Sequence, residues 1–178
     1  ASEKAQVSAP EWFEQAMTEI PYSHRIEVNS CDIHYLRWGP KASKQPGLLF
    51  VHGGGAHAQW WSFIAPFFAE NRPVAAIDLS GMGDSGHRSD YGSAVHIPEM
   101  AAVIADADLG GNSVIIGHSF GGYMTMCYAN QHGHDLSGAV LVDTAIRPGT
   151  EDRDQPRAAY DQPKRYYPDK ETITGRFR

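Results

Sequence analysis

The chain has 178 residues, a formal net charge of −6 and 42% hydrophobic content, enough for one domain with a real core. The acidic balance excludes general nucleic-acid binding, which calls for basic surfaces. Two cysteines, Cys31 and Cys127, are too few for a disulfide scaffold. No apolar run has the length of a membrane span, and the start lacks the basic-then-apolar order of a signal peptide. The expectation is a soluble, cytoplasmic protein with reduced thiols.

Residues 8 to 20 predict a helix. Ser8 and Glu11 have capping-box spacing, Pro10 suits the first turn, and Trp12, Phe13, Ala16, Met17 and Ile20 form one apolar face. Pro21 ends it. Residues 25–29 and 32–38 alternate like two half-buried antiparallel strands, with Asn29-Ser30 as the turn between them.

From residue 47 the pattern changes. Residues 47–51, 74–77, 113–116 and 138–142 are nearly continuous apolar runs, as in strands covered on both faces. Helical patterns lie between them at 58–70, 94–107 and 122–131. Strand alternating with helix predicts an α/β fold, a mostly parallel sheet flanked by helices. Trp60, Trp61, Phe63, Phe67 and Phe68 recur at helical spacing and are expected to pack into the core rather than line a substrate site. Residues 147–178 are charged and broken by Pro148, Pro156, Pro163 and Pro168. They cannot bury a core alone, so residues 1–146 are expected to form the core and 147–178 a linker, a disordered tail or the start of a cap.

Two motifs carry chemistry. In Gly117-His118-Ser119-Phe120-Gly121-Gly122, a β-branched run (Val114 to Ile116) enters a helical pattern through Gly-x-Ser-x-Gly, the form of a nucleophile elbow. Such a turn demands a strained serine and glycines beside it, and it exposes the hydroxyl at the carboxyl end of the sheet. Ser119 is the candidate nucleophile. The bland alternative is a glycine-rich turn with no chemistry. The second motif, Phe50-Val51-His52-Gly53-Gly54-Gly55, places glycines directly after a buried strand. Backbone N–H groups of Gly54 and Phe120 are the candidate oxyanion hole, typically worth ~3–4 kcal/mol per donor. A flexible connecting loop is the alternative.

Taken together, the two motifs resemble the α/β-hydrolase fold family, with the His-Gly-Gly loop first and the Gly-His-Ser-Phe-Gly-Gly elbow after it. The loop at residues 78–86 resembles the family's loop after the fourth strand. Leu141-Val142-Asp143-Thr144-Ala145 resembles the end of its sixth strand, after which a cap is usually inserted. The resemblance covers about residues 20 to 148 and implies a core holding the first six of eight strands. Gly81 to Gly86 also fits Gly-x-Gly-x-x-Gly, but the loop-like residues 87–92 follow where a dinucleotide site needs a helix.

A serine needs a histidine to take its proton and a carboxylate to orient that histidine. The resemblance places these after the seventh and eighth strands, so the base is expected outside this chain. His52 and His57 belong to the glycine loop, His96 to a helix start and His118 to the elbow itself. His132 and His134 lack a third ligand and read as a solvated helix end, so no metal is expected. Some relatives carry the triad acid where Asp143 stands. Others have a structural or hinge aspartate there, and both roles stay open.

The expected activity is a serine hydrolase acting on an ester-like carbonyl through an acyl-enzyme. Its expected partners are a small-molecule substrate and the C-terminal remainder of the fold, in the same polypeptide or another; no cofactor, nucleic acid or membrane is expected. The alternative is a non-catalytic binding protein or an inactive fragment that keeps the pocket. The bond cleaved is not readable, because the two motifs serve esters, lactones and thioesters alike.

Overall fold

The computed structural model describes residues 8–41, 43–145, 168, 169 and 172. The chain divides into two units, residues 1–146 and 147–178. The expectations for a cap or linker at 147–178 lie outside the described residues.

The first element, α1 (Glu11–Thr18), is shorter than the sequence pattern. Pro10 stands at its N-cap and no side chain caps it, so the Ser8–Glu11 capping box does not form. Only Ala16 is buried, while Trp12 and Met17 are about half exposed.

Next comes a hairpin, β1 (Tyr22–Val28) and β2 (Cys31–Trp38), paired antiparallel from Val28↔Cys31 to Tyr22↔Arg37. Asn29 and Ser30 take φ of 48° and 59°. Two successive positive φ values make the primed turn whose twist matches a two-residue hairpin.

Four further strands complete the sheet: β3 (Leu48–Val51), β4 (Val74–Ile77), β5 (Ser113–His118) and β6 (Leu136–Val142). The order is β1-β2-β4-β3-β5-β6. Strands β4, β3, β5 and β6 run parallel, and β2 joins β4 antiparallel. Helices α2 (Ser93–Asp106) and α3 (Phe120–His132) make the crossovers to β5 and β6.

Alternation along β3 divides the core. Leu49 and Val51 join Ala75, Ile77, Ile115, Met100, Val103 and Met124 on the α2 and α3 side. Leu48 and Phe50 join Leu36, Trp38, Ala76, Ala58 and Ala65 on the other. Every residue of β3 and β4 is buried, which explains their unbroken apolar runs.

Two expectations are corrected here. Residues 58–70 are not one helix but two single turns of 3₁₀-helix, Ala58–Trp61 and Ala65–Phe68. Pro66 lacks the N–H that a continuous helix would need. The aromatic stripe consequently breaks up. Trp61 packs on Phe50 at 4.7 Å between ring centroids, but Trp60, Phe63, Phe67 and Phe68 are substantially exposed. Strand β6 is likewise not covered on both faces: Val140, Leu141 and Val142 are 46%, 38% and 41% exposed at the edge of the sheet. Both cysteines are free. Among the described residues, no helix is long and apolar enough to cross a membrane.

Leu49 is fully buried at the centre of the sheet. Leu49→Ala is expected to lower stability by about 2–5 kcal/mol, read from urea unfolding curves, through lost burial and the cavity left behind.

Candidate active site

The end of β5 turns into α3 without a spare residue. Ser119 occupies the turn with φ 51° and ψ −113°, outside the ordinary regions for a residue with a side chain. The conformation is held from both sides. Its N–H donates to the Val142 carbonyl at the end of β6 (2.9 Å), and its carbonyl accepts from Tyr123 in α3 (3.1 Å).

The glycines around it leave no room for a side chain. A Cβ on Gly117 would collide with the Gly121 carbonyl and Thr125 Oγ1, and one on Gly121 with the carbonyls of Val51 and His52. A Cβ on Gly122 would collide with Thr144 Oγ1. The first turn of α3 therefore lies backbone-to-backbone against the end of β3. Thr125 tightens that turn, donating its hydroxyl to the Gly121 carbonyl at 2.8 Å.

Loop 52–55 sits beside this turn. A Cβ on Gly53 would come within 3.4 Å of Ser119 Cβ, and one on Gly54 within 3.7 Å of Phe120 Cβ. The two motifs, distant in sequence, thus meet at the carboxyl ends of β3 and β5. Phe120 opens α3, where backbone N–H groups have no intrahelical acceptor. The loop N–H of Gly55 points to Met82 Sδ (3.4 Å), a neighbour the sequence did not flag.

His52 braces the loop rather than facing Ser119. Its Nδ1–H donates to the Gly53 carbonyl (2.8 Å), and its Nε2 accepts from Leu79 N–H (3.2 Å). Burial holds its imidazole below the usual histidine value, outweighing the opposing pull of the Gly53 carbonyl. His118 lies between Trp60, at 6.2 Å between rings, and Gly53. Its Nδ1 is buried and has no hydrogen-bond partner among the described residues.

Asp143 follows β6 with φ 48° and an exposed side chain. No hydrogen bond joins its carboxylate to a histidine among the described residues. It stands one residue beyond the carbonyl that holds Ser119 N–H.

A buried polar cluster supports the far side. Glu99 is fully buried and accepts from Arg88 Nε (2.9 Å), His96 Nδ1 (3.0 Å) and Ser80 N–H (3.1 Å). Burial pushes its carboxyl up, but the bonds from His96, Ser80 and Arg88 win, and the net position is below the ordinary value. His96 meets Phe120 edge-on at 5.7 Å. None of this was visible in the sequence, because the partners sit on a loop and a helix whose packing no local pattern reports.

The groove of about 480 Å³ lined by Ala16, Tyr22, Trp38 and Phe67 is elsewhere. Trp38 pairs with Val74, the first residue of β4, so this groove opens at the opposite end of the sheet from Ser119.

Comparison with known proteins agrees with this geometry. Residues 48–178 match the model of the Alpha/beta hydrolase family. The chain is 32% identical over 115 residues to the lipase LipV of Mycobacterium tuberculosis, covering 65% of this chain and 42% of that protein. It is 33% identical over 132 residues to an esterase of the same organism, covering 73% and 42%. The thioesterase domain from the curacin biosynthetic pathway superposes with a TM-score of 0.66 at 22% identity, over 74% of this chain and 49% of that one. The chain thus spans less than half the length of these relatives.

Two outcomes are expected. Gly121→Ala should cost more than about 2 kcal/mol in urea unfolding, since its Cβ meets fixed backbone rather than a movable side chain. Burial lowers the His52 pKa in the folded chain, so the unfolded chain binds this proton more readily and stability falls as pH drops through about 6.5. His52→Gln, which can keep both hydrogen bonds, should flatten the loss of stability between pH 7.5 and 5.5. The wild-type contribution amounts to at most about 1.4 kcal/mol per pH unit.

Proposed function

This chain belongs to the alpha/beta hydrolase family, and from that premise we propose that it is the nucleophile-bearing portion of a serine hydrolase that cleaves ester-like carbonyl compounds. The observation that carries the reading is the strained Ser119, fixed between β5 and α3 and facing the Gly53-Gly54 loop. Strain at a residue held from several sides is characteristic of sites where position matters more than local comfort. The names of the lipase and esterase relatives support the same reaction class.

In this reading Ser119 Oγ attacks the carbonyl carbon and a bond forms between them. The hydroxyl proton passes to a histidine outside this chain, which returns it to the departing alcohol. The N–H groups of Phe120 and Gly54 bind the oxygen as it becomes negative, where each donor supplies ~3–4 kcal/mol. Water then releases the acyl group by the reverse sequence. Asp143 follows the strand end that anchors Ser119, and in this reading it either orients that histidine or hinges the segment that follows. A small-molecule substrate and a C-terminal remainder of the fold are the partners this mechanism needs. The serine also argues against epoxide or haloalkane chemistry, which depends on a carboxylate nucleophile.

The test uses a polypeptide that carries the complete fold. Ser119→Ala is expected to lower p-nitrophenyl ester turnover by at least about 1,000-fold while leaving the urea midpoint nearly unchanged. Intact-mass spectrometry should show one fluorophosphonate adduct on the parent and none at this position in the variant. Undiminished turnover in Ser119→Ala would sink the proposal, and a folded parent that neither turns over esters nor takes an adduct would favour a binding protein.

A further inference from the structure

Away from Ser119, the fold assembles a second serine, histidine and aspartate in line. Ser23 Oγ lies 2.8 Å from His34 Nε2, and His34 Nδ1 lies 2.7 Å from Asp78 Oδ2. A carboxylate can only accept, so the proton between His34 and Asp78 belongs to Nδ1. In the neutral imidazole that leaves Nε2 as the acceptor for the Ser23 hydroxyl. It is the tautomer that a general base requires.

Three strands bring these residues together. Arg25 on β1 pairs with His34 on β2, so Ser23, two residues earlier, shares the face of His34. Asp78 follows β4 directly, and its N–H donates to the His34 carbonyl at 2.9 Å. The base and its orienter are rigid. His34 is 3% exposed and Asp78 2%. The Asp78 carboxylate also accepts from the N–H groups of Ala58 (2.6 Å) and Asp84 (3.0 Å), and His34 N–H donates to Ser85 Oγ (2.8 Å). Ser23, in contrast, is exposed on the edge strand of the sheet.

Two other readings of this cluster are weaker. A purely structural polar link would have little need of an exposed hydroxyl at its end. A cation held by His34, Asp78 and Asp84 would have to break the existing His34–Asp78 bond and compete with the N–H donors on Asp78.

We infer that Ser23 is a second nucleophile of this chain, activated by His34 and Asp78, that accepts acyl groups from activated esters. The Ser23 Oγ–carbon bond forms as the ester carbon–oxygen bond breaks. The hydroxyl proton moves to His34 Nε2 and then to the departing alkoxide. Ser23 stands on a strand rather than at a helix N-terminus, so the helix-end donors available to Ser119 are missing from its own element. The acyl group is therefore expected to transfer once and remain. Four strand spacings separate β1 from β5, roughly 19 Å, so this is not the Ser119 site.

The test takes the polypeptide that carries the complete fold, with Ser119→Ala, treats it with p-nitrophenyl acetate and maps acetylated peptides by mass spectrometry. Expected is an acetyl group on Ser23, formed at least about tenfold faster than on any other hydroxyl, a conservative share of what general-base catalysis contributes. The group should be absent when Ser23→Ala is added, and its formation should slow at least about tenfold with His34→Gln. A second variant guards against misfolding at the buried His34. Ser23→Cys leaves the base intact, and its thiol should react with iodoacetamide at pH 6.5 at least about tenfold faster than cysteine in a short peptide, because a histidine partner lowers the thiol pKa. Ser23 acetylated no faster than other exposed serines overturns the inference, as does a Ser23→Cys thiol no faster than the peptide. Because Ser119 is absent throughout, neither result bears on its own role.

Discussion

Everything at the candidate site depends on one close approach, the first turn of α3 against the end of β3. Gly121 there touches the carbonyls of Val51 and His52 through bare backbone, and Gly117 does the same to Gly121. No side chain can separate these elements, so the position of Ser119 relative to the Gly53-Gly54 loop is set by main-chain geometry. Main chain is stiffer than side-chain contacts, which can shift between rotamers. A positive φ at a serine costs on the order of 1–3 kcal/mol. Bonds to Val142 and Tyr123 hold it, and the burial of β3 and β5 supplies the excess stability that the strain draws on.

The second constraint is Asp78. Its carboxylate collects donors from β2, from the start of the 58–61 turn and from its own loop. Two of these donors, on His34 and Ala58, are buried and would otherwise go unmatched at the carboxyl end of β4. Gly83 (φ 55°) passes so near that a Cβ there would overlap the Asp78 carboxylate. His52 extends the bracing by linking Gly53 to Leu79, and Glu99 does so by taking Ser80 N–H. The glycine loop, the loop after β4 and helix α2 are thus joined through polar contacts rather than packing alone.

How much of this was legible follows from which forces are local. Gly117 and Gly121 stand where backbone meets backbone, and Gly53 and Gly122 where a side chain would collide, so the glycine clusters let both motifs and their strands be read directly. The parallel sheet was equally plain in the apolar runs. Residues 58–70 misled because their aromatic spacing is helical while Pro66 and the tight return to β4 are not. Four aromatic rings end up facing solvent. Strand β6 misled for a different reason: an apolar run records only that a face is suited to burial, not that this chain supplies the cover. Pairings such as Ser23–His34–Asp78 and Arg88–Glu99 were invisible, since they depend on strand register and helix rotation, which no local pattern encodes.

The two serines divide the requirements of acyl transfer in a revealing way. Ser119 has an enforced conformation and stands at a helix N-terminus, but has no base bonded to it among the described residues. Ser23 has a base and an orienting carboxylate at hydrogen-bond distances, on an unstrained strand. Oxyanion stabilisation acts mainly on the transition state, whereas a general base raises the nucleophilicity of the hydroxyl beforehand. On the proposed readings, turnover requires both together and belongs to Ser119 once a histidine reaches it. On the same readings Ser23 alone is acylated but lacks the means to speed its release. On those readings the same sheet carries one site built to turn over and another built only to react, and what separates them is the strand-to-helix turn at 117–122.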